Sequence, residues 1–154
     1  MGGGVHLDLF HEFDYTIWLF GFPLKKHSLL RNVSSLNIEA IDYANYIFEY
    51  QNFTVNIILN YYRKKSKRSI EIVLDNETLN IDLINNIITN DNGELLFFNN
   101  DFDIQETYNS QLEYFISSLN NNLKPMNTIQ ESIQILKLIL SYCHLLKIYI
   151  LKKT

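Results

Sequence analysis

A single cysteine, Cys143, rules out an internal disulfide and points mildly to a reducing compartment. It stands at helical spacing from Ile139, Leu140 and Leu146, which marks buried filler rather than a nucleophile. Basic charge is also scarce: 13 Lys and Arg against 17 Asp and Glu leave a formal charge of −4. Nucleic-acid binding wants a strongly basic surface, so no such partner is expected. The chain start has neither a basic n-region nor a secretory h-region. The apolar run Leu136–Leu151 is interrupted by Lys137, His144 and Lys147 before membrane-spanning length. A cytoplasmic protein with no membrane partner is expected. There is no G-x-S-x-G elbow for a hydrolase and no closed set of four zinc ligands. Nor does any G-x-G-x-x-G follow a strand, and no early βαβ unit exists to hold a dinucleotide.

What remains suits one packed domain: 154 residues, 47% apolar and 14% aromatic, with charged residues at 19%, too few for a disordered tail. The chain is organised around its opening. Gly2, Gly3 and Gly4 lead into an apolar-periodic stretch that stops at Gly21 with Pro23 just beyond, a normal helix ending. On a helical wheel Val5, Leu9, Phe10, Phe13, Ile17 and Phe20 fall on one face. Asp8, His11 and Tyr15 fall together on another, at i, i+3 and i+7. One side buries the helix; the other offers a carboxylate, an imidazole and a phenol.

Short strands follow. Leu24–Val33 reads as the first. Asp42–Tyr50 alternates, with Asp42, Ala44, Tyr46, Phe48 and Tyr50 on one face and Tyr43, Asn45, Ile47 and Glu49 on the other. Gln51–Asn52 turns the chain back into Phe53–Tyr62 as a hairpin. The basic cluster Arg63–Arg68 reads as a solvated hairpin tip, since no glycine nest stands beside it to hold phosphate. Ser69–Asp75, Thr78–Leu83, Ile87–Asn90 and Leu95–Phe98 continue the meander, separated by Asn- and Asp-rich turns. Asp103 caps a helix carrying Tyr108, Leu112, Phe115, Ile116 and Leu119 on one stripe, and Asn120–Asn122 end it. Thr128 and Glu131 form a capping box for a last helix, with Ile129, Ile133, Leu136, Leu140 and Cys143 as its inner seam. Ile148–Leu151 reads as a short edge strand. The fold class is therefore α+β: two layers, a mainly antiparallel β-sheet of roughly six or seven strands, with three helices on one face. The other face, apolar and uncovered, predicts a homo-oligomer.

The run GGG-x-x-x-D-x-x-H-E-x-D-Y-x-x-W-L-F-G resembles the first helix of the C-terminal domain of the Gfo/Idh/MocA family of NAD(P)-dependent oxidoreductases. The likeness continues through Asn32–Leu36, the strand pairs, Ser69–Ile72 and Pro125, and so covers essentially the whole chain. It implies a glyceraldehyde-3-phosphate dehydrogenase-like C-terminal domain over residues 1–154, with the N-terminal Rossmann domain absent. Met1 followed at once by the glycines suggests a cut at that boundary. The resemblance implies a substrate-binding and oligomerisation domain, with a sugar, polyol or sugar-nucleotide as substrate and assembly through the open sheet. The HEFDY variant is similar to members of surface-polysaccharide and amino-sugar pathways.

In the family an aspartate and a histidine on this helix line the sugar pocket, and the histidine takes part in proton transfer. Carried over, these are Asp8 and His11; Tyr15 shares their stripe as a candidate substrate contact. A neutral imidazole suits the removal of a hydroxyl proton as hydride leaves, and a nearby carboxylate can orient it. The family's catalytic lysine, in an E-K-P motif, belongs to the missing domain. NAD or NADP is thus expected in the full-length enzyme, none on this chain alone, and no dehydrogenase activity without the N-terminal domain. The alternative is a stand-alone, non-catalytic binding or dimerisation module that keeps the fold. Asp8, His11 and Glu12 are too loose a set to predict a metal. Solvent exposure is expected for His6; His27 is placed on a strand and His144 on the last helix.

Overall fold

The structure is a computed structural model describing residues 3–141. The expectations placed on Cys143, His144 and Ile148–Leu151 lie outside the described residues. Helices are Val5–Asp8 (α1), His11–Phe20 (α2), Ile104–Asn120 (α3) and Ile129–Leu140 (α4). Strands are Lys25–Arg31 (β1), Tyr43–Glu49 (β2), Thr54–Asn60 (β3), Ser69–Val73 (β4), Thr78–Asp82 (β5), Ile87–Asn90 (β6) and Leu95–Phe98 (β7). The antiparallel α+β fold is as expected, but its strands form two sheets, β1-β2-β3 and β4-β5-β6-β7, rather than one. The chain divides accordingly into two units, Met1–Tyr62 with Asn127–Thr154 and Arg63–Met126. Arg63–Arg68 is exposed as expected, yet it is no hairpin tip, because the strands on either side of it belong to different sheets. Five cations in six residues disfavour a tight β-turn with paired flanks.

In the first unit Gln51–Asn52 closes the β2–β3 hairpin, with the Tyr50 N–H donating to the Phe53 carbonyl at 2.9 Å. The period of two puts Ala44, Tyr46, Phe48, Ile57 and Leu59 on one buried face. Phe13 and Ile17 of α2 pack in the same core; the Phe13 ring meets Tyr46 edge-on at 4.8 Å. The opposite face presents Leu29, Tyr43, Ile47 and Ile58 in cross-strand rows, with Ile58 half exposed.

Helix α4 opens on the expected capping box: the Thr128 hydroxyl accepts from the Glu131 N–H, and the Glu131 carboxylate accepts from the Thr128 N–H at 2.7 Å. Its seam differs from expectation. Ile135 and Ile139 are buried, whereas Ile129, Ile133, Leu136 and Leu140 are exposed. The helix is apolar on several sides, so periodicity alone could not choose the stripe. Tertiary bonds choose it: the Tyr46 hydroxyl donates to the Ile139 carbonyl at 3.3 Å.

The second unit is the β4–β7 meander with α3. Asp82 shapes the β5–β6 turn by accepting from the Ile84 N–H at 2.9 Å and the Asn85 N–H at 3.1 Å. Asp103 caps α3, its carboxylate accepting from the Gln105 N–H at 2.8 Å. The stripe Tyr108, Leu112, Phe115, Ile116 and Leu119 is exposed rather than a packed face. Among the described residues no helix is long and apolar enough to cross a membrane.

Candidate functional site

The opening stretch starts on Gly4, at φ 117°, a conformation open mainly to glycine. A Cβ there would also stand 2.8 Å from the Ile41 Cβ. The close approach lets the Val5 N–H donate to the Ile41 carbonyl at 2.9 Å, which pins the helix start to the β1–β2 connection. The expected single helix is in fact two. α1 ends at Asp8, Leu9 leaves helical geometry at φ −102°, ψ 35°, and α2 resumes at His11. The Phe10 and Glu12 N–H groups reach back three residues, to Leu7 and Leu9, tightening the join. Val5 and Phe13, on either side of the join, are both fully buried.

The break separates the partners that the helical wheel placed together. Among the described residues Asp8 and His11 share no hydrogen bond or ion pair. Asp8 is exposed and accepts from the Tyr61 hydroxyl. Burial and the Asp8 carboxylate push the Tyr61 phenol up to about 12. Tyr61 is held in turn by its own N–H, which donates to the Asp42 carbonyl at 3.1 Å. Asp42 is fully buried and its carboxylate accepts from the Val33 N–H at 2.9 Å, the Ser34 N–H at 2.8 Å and the Ser34 hydroxyl. Burial pushes the Asp42 pKa up, but those bonds together bring it below the usual carboxylate value.

His11 turns to solvent, its side chain 55% exposed, and its Nε2 lies 3.0 Å from Glu12 Oε1. The Tyr15 hydroxyl donates to the other oxygen, Glu12 Oε2, at 2.5 Å. Glu12 therefore links His11 to Tyr15, a role the sequence showed only as the i, i+3 spacing of Glu12 and Tyr15. Tyr61, 53 positions beyond Asp8, left no local signal. His6 is corrected: it is 5% exposed, not solvated, and its Nδ1 has no partner among the described residues. Burial lowers its pKa against the opposing pull of Asp8. His27 lies on β1 with its Nε2 2.6 Å from Glu49 Oε1. Among the described residues no group of three or more His, Cys, Asp or Glu is placed to hold a metal. Nor do they build a dinucleotide cradle, since both sheets are antiparallel and no strand runs through a glycine-rich turn into a helix.

An exposed imidazole beside a buried carboxylate can move a proton, and the exposed Asp8 carboxylate, three positions earlier in the chain, can accept a hydrogen bond. Solved structures that share this fold include several described as oxidoreductases. The chain superposes on UDP-N-acetylglucosamine 3-dehydrogenase GnnA from Acidithiobacillus ferrooxidans with a TM-score of 0.70 at 16% identity, over 88% of this chain and 45% of that one. It matches an oxidoreductase from Agrobacterium radiobacter, solved with NAD+, L-tartaric acid and magnesium, equally well: TM-score 0.70, 16% identity, 90% of this chain and 46% of the other. The chain has the fold of the C-terminal domain of Gfo/Idh/MocA-type oxidoreductases. It spans somewhat under half the length of these structures. Neither a family model nor a curated protein sequence matches it.

Proposed function

We propose that this chain is the substrate-binding and oligomerisation domain of an NAD(P)-dependent sugar or polyol dehydrogenase of the cytoplasm, with His11 as its proton acceptor. The observation that carries the reading is the exposed His11 imidazole against the buried Glu12 carboxylate, three positions after exposed Asp8. Oxidation of a secondary alcohol removes a hydride from carbon and a proton from oxygen. A nicotinamide held by a separate nucleotide-binding domain would supply the hydride acceptor. This chain's share is the proton, taken by His11, while Asp8 accepts a hydrogen bond from a neighbouring hydroxyl and Tyr15 flanks the sugar. The sugar-nucleotide substrate in the name of the Acidithiobacillus enzyme makes UDP-N-acetylhexosamines the first compounds to try. The outward face with Leu29, Tyr43, Ile47 and Ile58 is the proposed self-association surface.

The test joins the chain to a matching nucleotide-binding domain and follows NAD(P)H formation with UDP-sugars and polyols. Turnover is expected, and His11→Ala lowers kcat by about 10²–10⁴-fold. Turnover unchanged by His11→Ala removes His11 from the chemistry. Sugar binding by the chain with no turnover in any pairing favours the non-catalytic binding module instead.

A further inference from the structure

Resting on the reading of Asp8 as a substrate contact, we propose that Tyr61 is a positioning residue for it. The Tyr61 hydroxyl occupies one oxygen of the Asp8 carboxylate and leaves the other, Oδ1, as the acceptor for a substrate hydroxyl or N–H. The bond that carries this is the one from the Tyr61 hydroxyl to Asp8 Oδ2. A carboxylate only accepts, so the phenol is the donor and Oδ1 keeps its capacity for a second bond. Among the described residues no donor fills Oδ1, and Asp8 is exposed. With the phenol in place Asp8 offers acceptors alone, so the group it recognises carries a hydrogen to give, which a carbonyl or carboxylate lacks.

Tyr61 is itself fixed by its place in the chain. Alternation along β3, carried one residue past its end, sends Val55, Ile57, Leu59 and Tyr61 to the face that packs with Val5 and Phe13. Core contacts therefore hold the ring, and its polar tip is left to find a partner. The backbone is held too: the Tyr61 N–H donates to the Asp42 carbonyl at 3.1 Å, and buried Asp42 is bonded in turn to Val33 and Ser34. Asp8 has no such support of its own. It is exposed at the end of four-residue α1, and Leu9 after it has left helical geometry. A side chain so placed samples several staggered rotamers unless a group outside its helix holds it. The phenol is that group, and burial together with Asp8 keeps its proton on oxygen up to about pH 12, so the donor persists at physiological pH.

The test follows Asp8 directly in the chain labelled with ¹³C and ¹⁵N. Three-bond couplings across its Cα–Cβ bond are expected to report one staggered rotamer in wild type. Tyr61→Phe keeps the ring in the core and removes only the hydroxyl, so it should give couplings averaged over rotamers. Averaged couplings in wild type, or a single rotamer retained in Tyr61→Phe, overturn the proposal. These spectra need no catalysis, so they stand apart from the His11→Ala turnover test. With the chain joined to a nucleotide-binding domain, Tyr61→Phe should raise KM for a UDP-N-acetylhexosamine about 3–10-fold, the cost of ordering a freed side chain, with kcat little changed. In an Asp8→Ala background the same change should add nothing, because the residue it positions is gone. A KM effect of Tyr61→Phe that persists in full without Asp8 overturns the proposal, as does an unchanged KM in Tyr61→Phe. An unchanged KM in Asp8→Ala alone overturns the underlying reading of Asp8, even where the couplings show it held by Tyr61.

Discussion

The Tyr61 hydroxyl on the Asp8 carboxylate joins the end of β3 to the end of α1, and the pairing has a pH signature. The phenol is held up to about 12 by burial and by Asp8. Ultraviolet titration should therefore show one phenol ionising well after the ordinary range near about 10. Tyr61→Phe should delete that late step, and Asp8→Asn should move it down. The sign for stability follows: the contribution is whole below about pH 10 and is lost as pH rises towards about 12. His6 works in the opposite direction. Its buried imidazole titrates below the usual value, so the neutral form stabilises the fold above about pH 6.5 and that contribution falls away as pH drops through the lowered value. His6→Leu removes both this acid slope and an unpartnered Nδ1. Urea unfolding should show a gain of about 1 kcal/mol near neutrality, growing towards acid.

At the scale of elements, α2 and α4 are secured differently. Phe13 of α2 is fully buried against Tyr46 and Phe48, so its loss leaves a cavity that neighbouring rings cannot fill. Phe13→Ala should cost about 3–5 kcal/mol. Thr128→Ala removes only the capping box of α4 and should cost about 1 kcal/mol. Paired urea midpoints decide this ordering; a cap variant as damaging as the core variant would show that α4 is held mainly by its first turn. The cap was legible in the sequence because capping is a local contest among four neighbouring residues. The buried stripe of α4 was not, because Ile and Leu occupy several sides and only the sheet beneath selects Ile135 and Ile139.

For the whole molecule, the outward face of β1-β2-β3 is the feature with the largest consequence. Leu29, Ile47 and Ile58 are apolar and exposed on one sheet surface. Sedimentation of the wild-type chain should give the mass of an oligomer, and Ile58→Lys should return it to a single chain with unchanged circular dichroism. A wild-type chain that stays single at high concentration removes that face as an interface. Strand boundaries were legible throughout because alternation and Asn-rich turns are local; β6 and β7 fall on the expected residues. The division into two sheets was not, because alternation carries no information about which strands share a ladder.

By itself the sequence determined the antiparallel α+β character, the strand and cap positions, and the presence of an acid, an imidazole and a phenol in one opening stretch. These depend on periodicity and on residues within a turn of each other. Tertiary structure decided which of those groups touch. The break at Leu9 separates Asp8 from His11, the residue just past β3 supplies the Tyr61 hydroxyl to the aspartate, and Glu12, buried beside the imidazole, accepts from Tyr15. A helical wheel assumes one unbroken axis, whereas the chain leaves helical geometry at Leu9 while Val5 and Phe13 still share one core.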